Sequence, residues 1–212
     1  KSDFNTASNL NYEDSPTSGL QKRLISKTEA EYYANDLSAA LAVGSAESKA
    51  LLYRVCELAL TDGMKTDTYG SFTQVTNTML TANDGGGYIQ RSNDFYISTP
   101  IPSYNANLFY TTNRIEDPFG NHTDFVFDSY GLAALESEDP YSNAVEIIMD
   151  YRVLAPKEVI DPNGNIQRVE FDARGMVIAT AVMDATEVQG DSLADPTSTM
   201  SYSLFNWKDN TL

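Results

Sequence analysis

The chain has 212 residues, 14 basic against 30 acidic, with one Cys, one His and one Trp, 42% of it apolar and 21% charged. At about 150 residues per domain this is one large domain or two small ones, long enough to bury a core. The net charge of −16 argues against a nucleic-acid or anionic-membrane partner, because phosphate contacts need clustered Lys and Arg, and a lone Cys and a lone His exclude a disulfide scaffold and a zinc fold.

No stretch approaches the roughly 18 apolar residues of a membrane span, and Lys1 to Leu10 contains no apolar signal region. The chain begins at Lys1 and runs out in mid-pattern from Trp207 to Leu212, so it reads as a piece of something longer. Charge divides it near Arg114: residues 1–113 hold 8 basic and 12 acidic groups, and residues 114–212 hold 6 and 18. Residues 1–19 are small and polar, a linker or loop by composition.

Residues 20–113 are expected to be a mixed β-rich region with short helices. For 45–61 two readings stand. Ala50, Leu51, Val55, Leu58 and Ala59 recur at helical spacing, whereas Leu52, Arg54, Cys56, Leu58 and Leu60 fall two apart as in a strand. After Gly63 a weak amphipathic turn around Met64 to Tyr69 is expected, then a short helix over Ser71 to Leu80, then a flexible turn at Gly85-Gly86-Gly87. Short strands are predicted at Tyr88 to Gln90, Asp94 to Ser98 and Leu108 to Thr111, from their aromatic and β-branched runs.

Residues 114–212 contain an internal repeat. Asp117-Pro118-Phe119-Gly120-Asn121, Asp139-Pro140-Tyr141-Ser142-Asn143 and Asp161-Pro162-Asn163-Gly164-Asn165 follow one another at a spacing of 22, giving units 117–138, 139–160 and 161–182. The same spacing aligns Asp128, Asp150 and Asp172, each after a large apolar residue. Gly131 and Gly175 align as well, while Val153 stands at that place in the middle copy. Asp-Pro joins a side-chain acceptor to a residue of fixed φ, and the Gly-Asn that follows tolerates φ > 0, so each copy specifies a tight turn. The strand after it would put Thr123, Phe125 and Phe127 on one face and His122, Asp124 and Val126 on the other. Val145, Ile147, Met149 and then Gln167, Val169, Phe171 are the counterparts of the first face, read as apolar against a largely charged opposite face. A second turn at Asp-x-x-Gly returns the chain, so each unit is a β-hairpin. A lone hairpin is marginal in water, so hairpins of this kind must stack into a continuous strip.

The motif Asp-Pro-x-Gly-Asn, followed by an aromatic before Asp and then Gly (Phe127-Asp128 to Gly131, Phe171-Asp172 to Gly175), resembles the YD repeat of the Rhs family. Arg152 to Pro156, Asp161 to Asn165 and Val169 to Met183 are most similar to the B component of tripartite insecticidal Tc toxin complexes. Upstream, Arg23-Leu24-Ile25, Asp36-Leu37, Glu47-Ser48, Leu58 to Thr61 and Gly86-Gly87-Tyr88 follow that group's order, so the resemblance spans residues 20 to 207. It implies a mainly β fold of stacked YD-type hairpins forming an extended sheet strip after the mixed region. It also implies a structural role in a secreted bacterial toxin. The partners it implies are the rest of the B/C shell, the cytotoxic effector enclosed in it, and the A-component translocation pore. No cofactor or metal is implied. The family's self-cleaving site is not carried over, because the well-formed motif pair here is 44 residues apart.

The chemistry-bearing residues fit architecture better. Asp161, Asn163, Asn165 and Asp172 match a calcium-loop template in part, but Ile166 stands where its glycine belongs, so a turn outweighs a calcium site. Glu136, Glu138 and Asp139 read as solvated surface before a glycosidase pair, and Cys56 as a small buried hydrophobe. The 13 Tyr and 9 Phe suit a one-sided core more than a sugar platform. The alternative function kept open is a secreted carbohydrate- or cell-surface-binding β module.

Overall fold

The computed structural model describes residues 2–12, 14–203 and 205. Lys1 and the pattern running from Trp207 to Leu212 lie outside the described residues. Among these residues the fold is mainly β. In chain order the elements are α1 (Ser2–Thr6), β1 (Ser8–Leu10), β2 (Gln21–Arg23), β3 (Thr28–Tyr32), β4 (Leu52–Leu60), α2 (Asp62–Tyr69) and α3 (Asn77–Thr81). Then come β5 (Ile89–Arg91), β6 (Asp94–Ser98), β7 (Ile101–Asn105), a 3-10 turn at Ala106–Leu108 and β8 (Thr111–Glu116). The remaining strands are β9 (His122–Phe127), β10 (Ala134–Glu138), β11 (Ala144–Asp150), β12 (Ala155–Ile160), β13 (Ile166–Phe171), β14 (Val177–Met183) and β15 (Ser198–Thr199). They build a pair β1-β2, a four-stranded sheet β3-β4-β6-β5, and a nine-stranded sheet in which β7 to β15 lie in chain order.

Two compact units divide the chain: Lys1–Tyr104 with Arg114–His122, and Asn105–Asn113 with Thr123–Leu212. In the first, residues 1–19, expected as linker or loop, hold α1 and β1, and β1 pairs in parallel with β2. The ambiguous stretch 45–61 is a strand over Leu52–Leu60 and irregular before it: β4 pairs with β3 on one edge (Cys56 opposite Glu29) and with β6 on the other (Cys56 opposite Ser98). Pairing on both edges gives the backbone of this central strand partners that outweigh the helical propensity of its Leu, Glu and Ala.

The weak turn expected after Gly63 is the helix α2. Its N-cap Thr61 accepts the Met64 N–H at 3.1 Å, and Asp62 sits in the first turn. The next helix is shorter than expected and starts where Thr76 caps it, accepting the Met79 N–H at 3.1 Å. The glycine run lies in a turn, as expected, and it is a closely packed one. A Cβ on Gly85 would fall 2.2 Å from the Met79 carbonyl oxygen, and one on Gly86 would fall 2.5 Å from that of Leu80. Leu108 to Thr111 is not a strand: the 3-10 turn and two left-handed residues, Phe109 (φ 55°) and Tyr110 (φ 59°), occupy it up to β8. The core of this first unit centres on Cys56, Phe95 and Tyr96. Tyr33, Tyr53 and Tyr104 stack edge to face beside one another, and burial raises the pKa of Tyr33 and Tyr104.

In the second unit, β9 to β14 form an antiparallel meander in which each strand pairs with the next. The expected division into an apolar and a charged face does not hold cleanly. The buried cluster Ile166, Ala181 and Met183, with Ile160 against it, lies on the face that also carries Glu158 and Arg168. On the other face Gln167 stands opposite Val182, which is 48% exposed. The loop after β14 accounts for this. Glu187 reaches back to make two 2.8 Å hydrogen bonds with Arg168, and Arg168 also holds Glu158, so the charges on this face are paired and the apolar side chains beside them are buried.

The turn glycines differ in cost. Gly164 has φ +83° and a Cβ there would meet that of Ala185 at 2.8 Å, whereas Ser142, its counterpart in the middle repeat, takes φ 62° with a side chain. Gly164→Ala is therefore expected to lower stability by about 1–2 kcal/mol, and Ser142→Gly to raise it by about 0.5–1 kcal/mol. Urea unfolding midpoints at constant m-value check both.

Candidate functional site

The residues singled out by the repeat fall at two kinds of turn. At the corners, Asp117, Asp139 and Asp161 occupy equivalent positions. Each Oδ1 accepts two backbone N–H groups: from Phe119 and Asn121 (both 2.9 Å), from Tyr141 and Asn143 (2.8 and 2.9 Å), and from Asn163 and Asn165 (both 2.8 Å). Each Oδ2 accepts the side-chain amide of the same Asn, at 3.0, 2.8 and 2.8 Å. The backbone closes the loop, with Gly120, Ser142 and Gly164 donating to the aspartate carbonyl at 3.1, 3.0 and 2.8 Å. Pro118, Pro140 and Pro162 fill the place after the aspartate, where fixed φ costs nothing and no N–H is needed.

At the tips, Asp128 Oδ1 accepts the N–H groups of Tyr130 and Leu132 (3.2 and 2.8 Å), and Asp172 Oδ1 those of Arg174 and Met176 (2.8 and 3.0 Å). Gly131 and Gly175 take φ +67° and +82°. The middle tip departs from this. Asp150 Oδ1 accepts only the Arg152 N–H among the described hydrogen bonds, at 2.9 Å, and the left-handed residue is Leu154, one place after Val153. Val153 instead packs towards Gly175, whose Cβ would lie 2.9 Å from its Cγ1. Arg152 ties neighbouring tips by donating to the Asp172 carbonyl at 2.7 Å.

A seventh aspartate does the same work unannounced by the spacing. Asp184 Oδ1 accepts the N–H groups of Val188 and Gln189, both at 3.1 Å, but it stands 23 rather than 22 residues after Asp161. Of the calcium template, Asp161 and Asp172 lie before and after β13, about 20 Å of strand apart, and both carboxylates are engaged by their own turns.

These contacts hold carboxylates in the charged form. Asp117, Asp139 and Asp161 titrate below the usual carboxylate value, chiefly through the Asn amide and then the backbone N–H groups. Asp172 is lowered first by the Met176 N–H, and Asp184 first by the Thr186 hydroxyl. For Asp128 burial pushes upward, and the N–H of Leu132, the Tyr151 phenol and further backbone donors outweigh it.

A second constellation lies on one face of the four-stranded sheet. Arg91 bridges Glu29 and Glu31, Arg54 also pairs with Glu31, and Lys27 pairs with Glu29 at 2.7 Å. The Cys56 thiol lies 3.3 Å from Arg91, and burial raises its pKa. Lys27 donates to the Tyr96 hydroxyl at 3.0 Å, and both Lys27 and Arg91 lie over the Tyr96 ring. The alternation Glu29-Ala30-Glu31 was the only sequence signal for it. Each charged group in it has an opposite partner, so the cluster cements the sheet. Among the described residues no group of three or more His, Cys, Asp or Glu is placed to hold a metal.

No protein-family model matches this chain, and no curated protein does. Solved structures do. The crystal structure of TcdB2-TccC3 without its hypervariable C-terminal region superposes with a TM-score of 0.64 over 87% of this chain and 9% of that one, at 16% identity. The crystal structure of TcdB2-TccC3-TEV superposes with a TM-score of 0.63 over the same shares, at 15% identity. These are structures of Tc toxin complexes, the group whose B component the repeat residues resemble. At this identity the likeness is one of fold, and the chain spans about a tenth of their length.

The corner geometry fixes the sign of a pH effect. A carboxylate whose folded pKa is depressed stabilises fully above its unfolded value of about 3.9, and this stabilisation is lost as pH falls through the folded value. Asn165→Ala removes the largest cause of the shift at Asp161, so its acid-unfolding midpoint, followed by circular dichroism, is expected at higher pH than that of the parent chain. In the sheet cluster, Glu31→Ala leaves Arg54 and part of Arg91 uncompensated and is expected to cost about 3 kcal/mol, measured by chemical denaturation.

Proposed function

We propose that this chain is a structural segment of an Rhs/YD-repeat shell that encapsulates a cytotoxic C-terminal effector in a bacterial Tc-type toxin. The observation that carries the reading is the recurrence of one aspartate-closed corner at a spacing of 22 residues. Such corners reverse the chain at constant register, so successive hairpins extend one sheet and each buries what its neighbour leaves open. The likeness of fold to the TcdB2-TccC3 structures supports it.

In this reading the chain divides into residues 1–19, a mixed region 20–113 and hairpin units 117–138, 139–160 and 161–182. The turn residues set the curvature of a wall and carry no catalysis. The partners are the rest of the B/C shell, the effector inside it and an A-component translocation pore, and the assembled protein is secreted.

The test is made in the full-length protein. Asp139→Ala with Asp161→Ala removes two corner carboxylates and is expected to open the wall, so that a protease added from outside cuts the enclosed C-terminal segment at least about tenfold faster; Ser142→Gly leaves protection unchanged. Equal protection in the double variant, with its corners shown to be disrupted, would overturn the shell reading. Saturable binding of the parent chain to glycans, without any such protection, would favour the surface-binding module.

A further inference from the structure

Six of the seven turn aspartates have a side-chain donor on Oδ2. The donors are Asn121, Asn143 and Asn165 at the corners, Arg152 and Arg174 at two tips, and Thr186 at Asp184. Asp128 is the exception. It is 4% exposed, and its Oδ2 is buried and completes no hydrogen bond by geometry among the described residues, the Tyr151 phenol lying near enough only to lower its pKa, a costly state for a charged oxygen. Two residues after the aspartate, where the other tips carry Arg152 and Arg174, this one carries Tyr130.

The surroundings are apolar and exposed. Tyr130 and Tyr151 meet edge to face with centroids 6.0 Å apart, at 64% and 45% exposure, and Leu132, which caps Asp128 through its N–H, is 67% exposed. The Phe109 ring lies by Gly131, whose Cβ would be 3.4 Å from its Cδ2, and this ring is 83% exposed. Phe109 and Tyr110 are both left-handed, a strained conformation for aromatic residues that serves to present a ring to solvent. Tyr151 and Asp128 shift one another's titration, the phenol upward through burial first and then the carboxylate.

We propose that the tip of the first hairpin, around Asp128, is a docking surface for an arginine-bearing apolar segment of a partner protein. The guanidinium completes the Asp128 carboxylate as Arg174 completes that of Asp172. Tyr151 turns aside to admit it, the two tyrosine rings flank the cation, and Phe109 and Leu132 receive the apolar neighbours. A guanidinium fits better than an ammonium because it is planar, stacks on rings and loses less on desolvation. The inference rests on the turn chemistry alone and not on the shell reading.

The probe is the peptide acetyl-Leu-Arg-Phe-amide, titrated into the chain and followed by NMR at the Asp128 carboxyl and the Tyr130 and Tyr151 rings. Saturable shifts are expected at these sites, with the Lys peptide binding about tenfold more weakly and the Gln peptide not at all. Tyr130→Arg supplies the guanidinium from within the chain and is expected to abolish binding and raise the melting temperature. Asp128→Asn, which keeps the Oδ1 acceptor, is expected to abolish binding as well; should it fail to fold, Tyr130→Arg carries the test. Absence of saturable shifts, equal binding of the Gln peptide, or undiminished binding by Tyr130→Arg overturns the proposal.

Discussion

A carboxylate oxygen accepting two backbone N–H groups two and four residues ahead is the interaction on which the hairpin strip depends. A tight turn leaves these donors pointing inward with no strand partner, and water reaches them poorly. An aspartate satisfies both with one atom, and its charge makes each bond stronger than a neutral acceptor would. Glutamate is a methylene too long for this geometry, and asparagine lacks the charge. This explains why the residue recurs while the strand residues between corners drift from Phe125 to Ile147 to Val169. It also recasts the net charge of −16. The seven turn aspartates from Asp117 to Asp184 are structural acceptors, so a sizeable part of the acidity of the second half comes from building turns.

The legible parts of the fold were those fixed by residues near one another in the chain. Asp139, Pro140 and Asn143 specify their corner locally, and so the period, the hairpins and the strip could be read before any coordinates. β4 could not, because whether Leu52 to Leu60 is helix or strand is decided by β3 and β6 on its two edges, one of them more than thirty residues away. Asp184 escaped because one extra residue breaks the spacing and moves the two accepted N–H groups to four and five residues ahead. Arg91 gave no signal either, since its partners Glu29 and Glu31 are joined to it only by the sheet. The face assignment failed for a related reason: Glu187, in the loop after β14, pairs Arg168, and the charged face becomes a place to bury Ile166 and Met183.

The ion-pair face of the four-stranded sheet and the aspartate turns solve the same problem differently. Both neutralise polar groups taken from water, one with opposite charges converging from three strands, the other with backbone donors from a single loop. The first is specific but depends on the whole sheet being formed. The second is available as soon as a few residues meet, and so it can be repeated. A sheet that grows by adding hairpins needs the second kind, because each added unit must close its own turn before it has a neighbour to lean on.

The middle repeat shows how far that logic tolerates error. It has lost both turn glycines, with Ser142 and Leu154 held in left-handed conformations that cost each of them roughly 1 kcal/mol. In an isolated hairpin, which is marginal at best, such a loss would prevent folding. Here β11 and β12 have strands on both sides, β10 and β13, and Arg152 fastens the strained tip to the carbonyl of Asp172 in the next unit. The strain is thus carried by pairing energy that a terminal unit would lack. Degeneracy of the turn motif is for that reason more permissible inside an array than at its ends, and the well-formed copies at Asp117 and Asp161 flank the poor one.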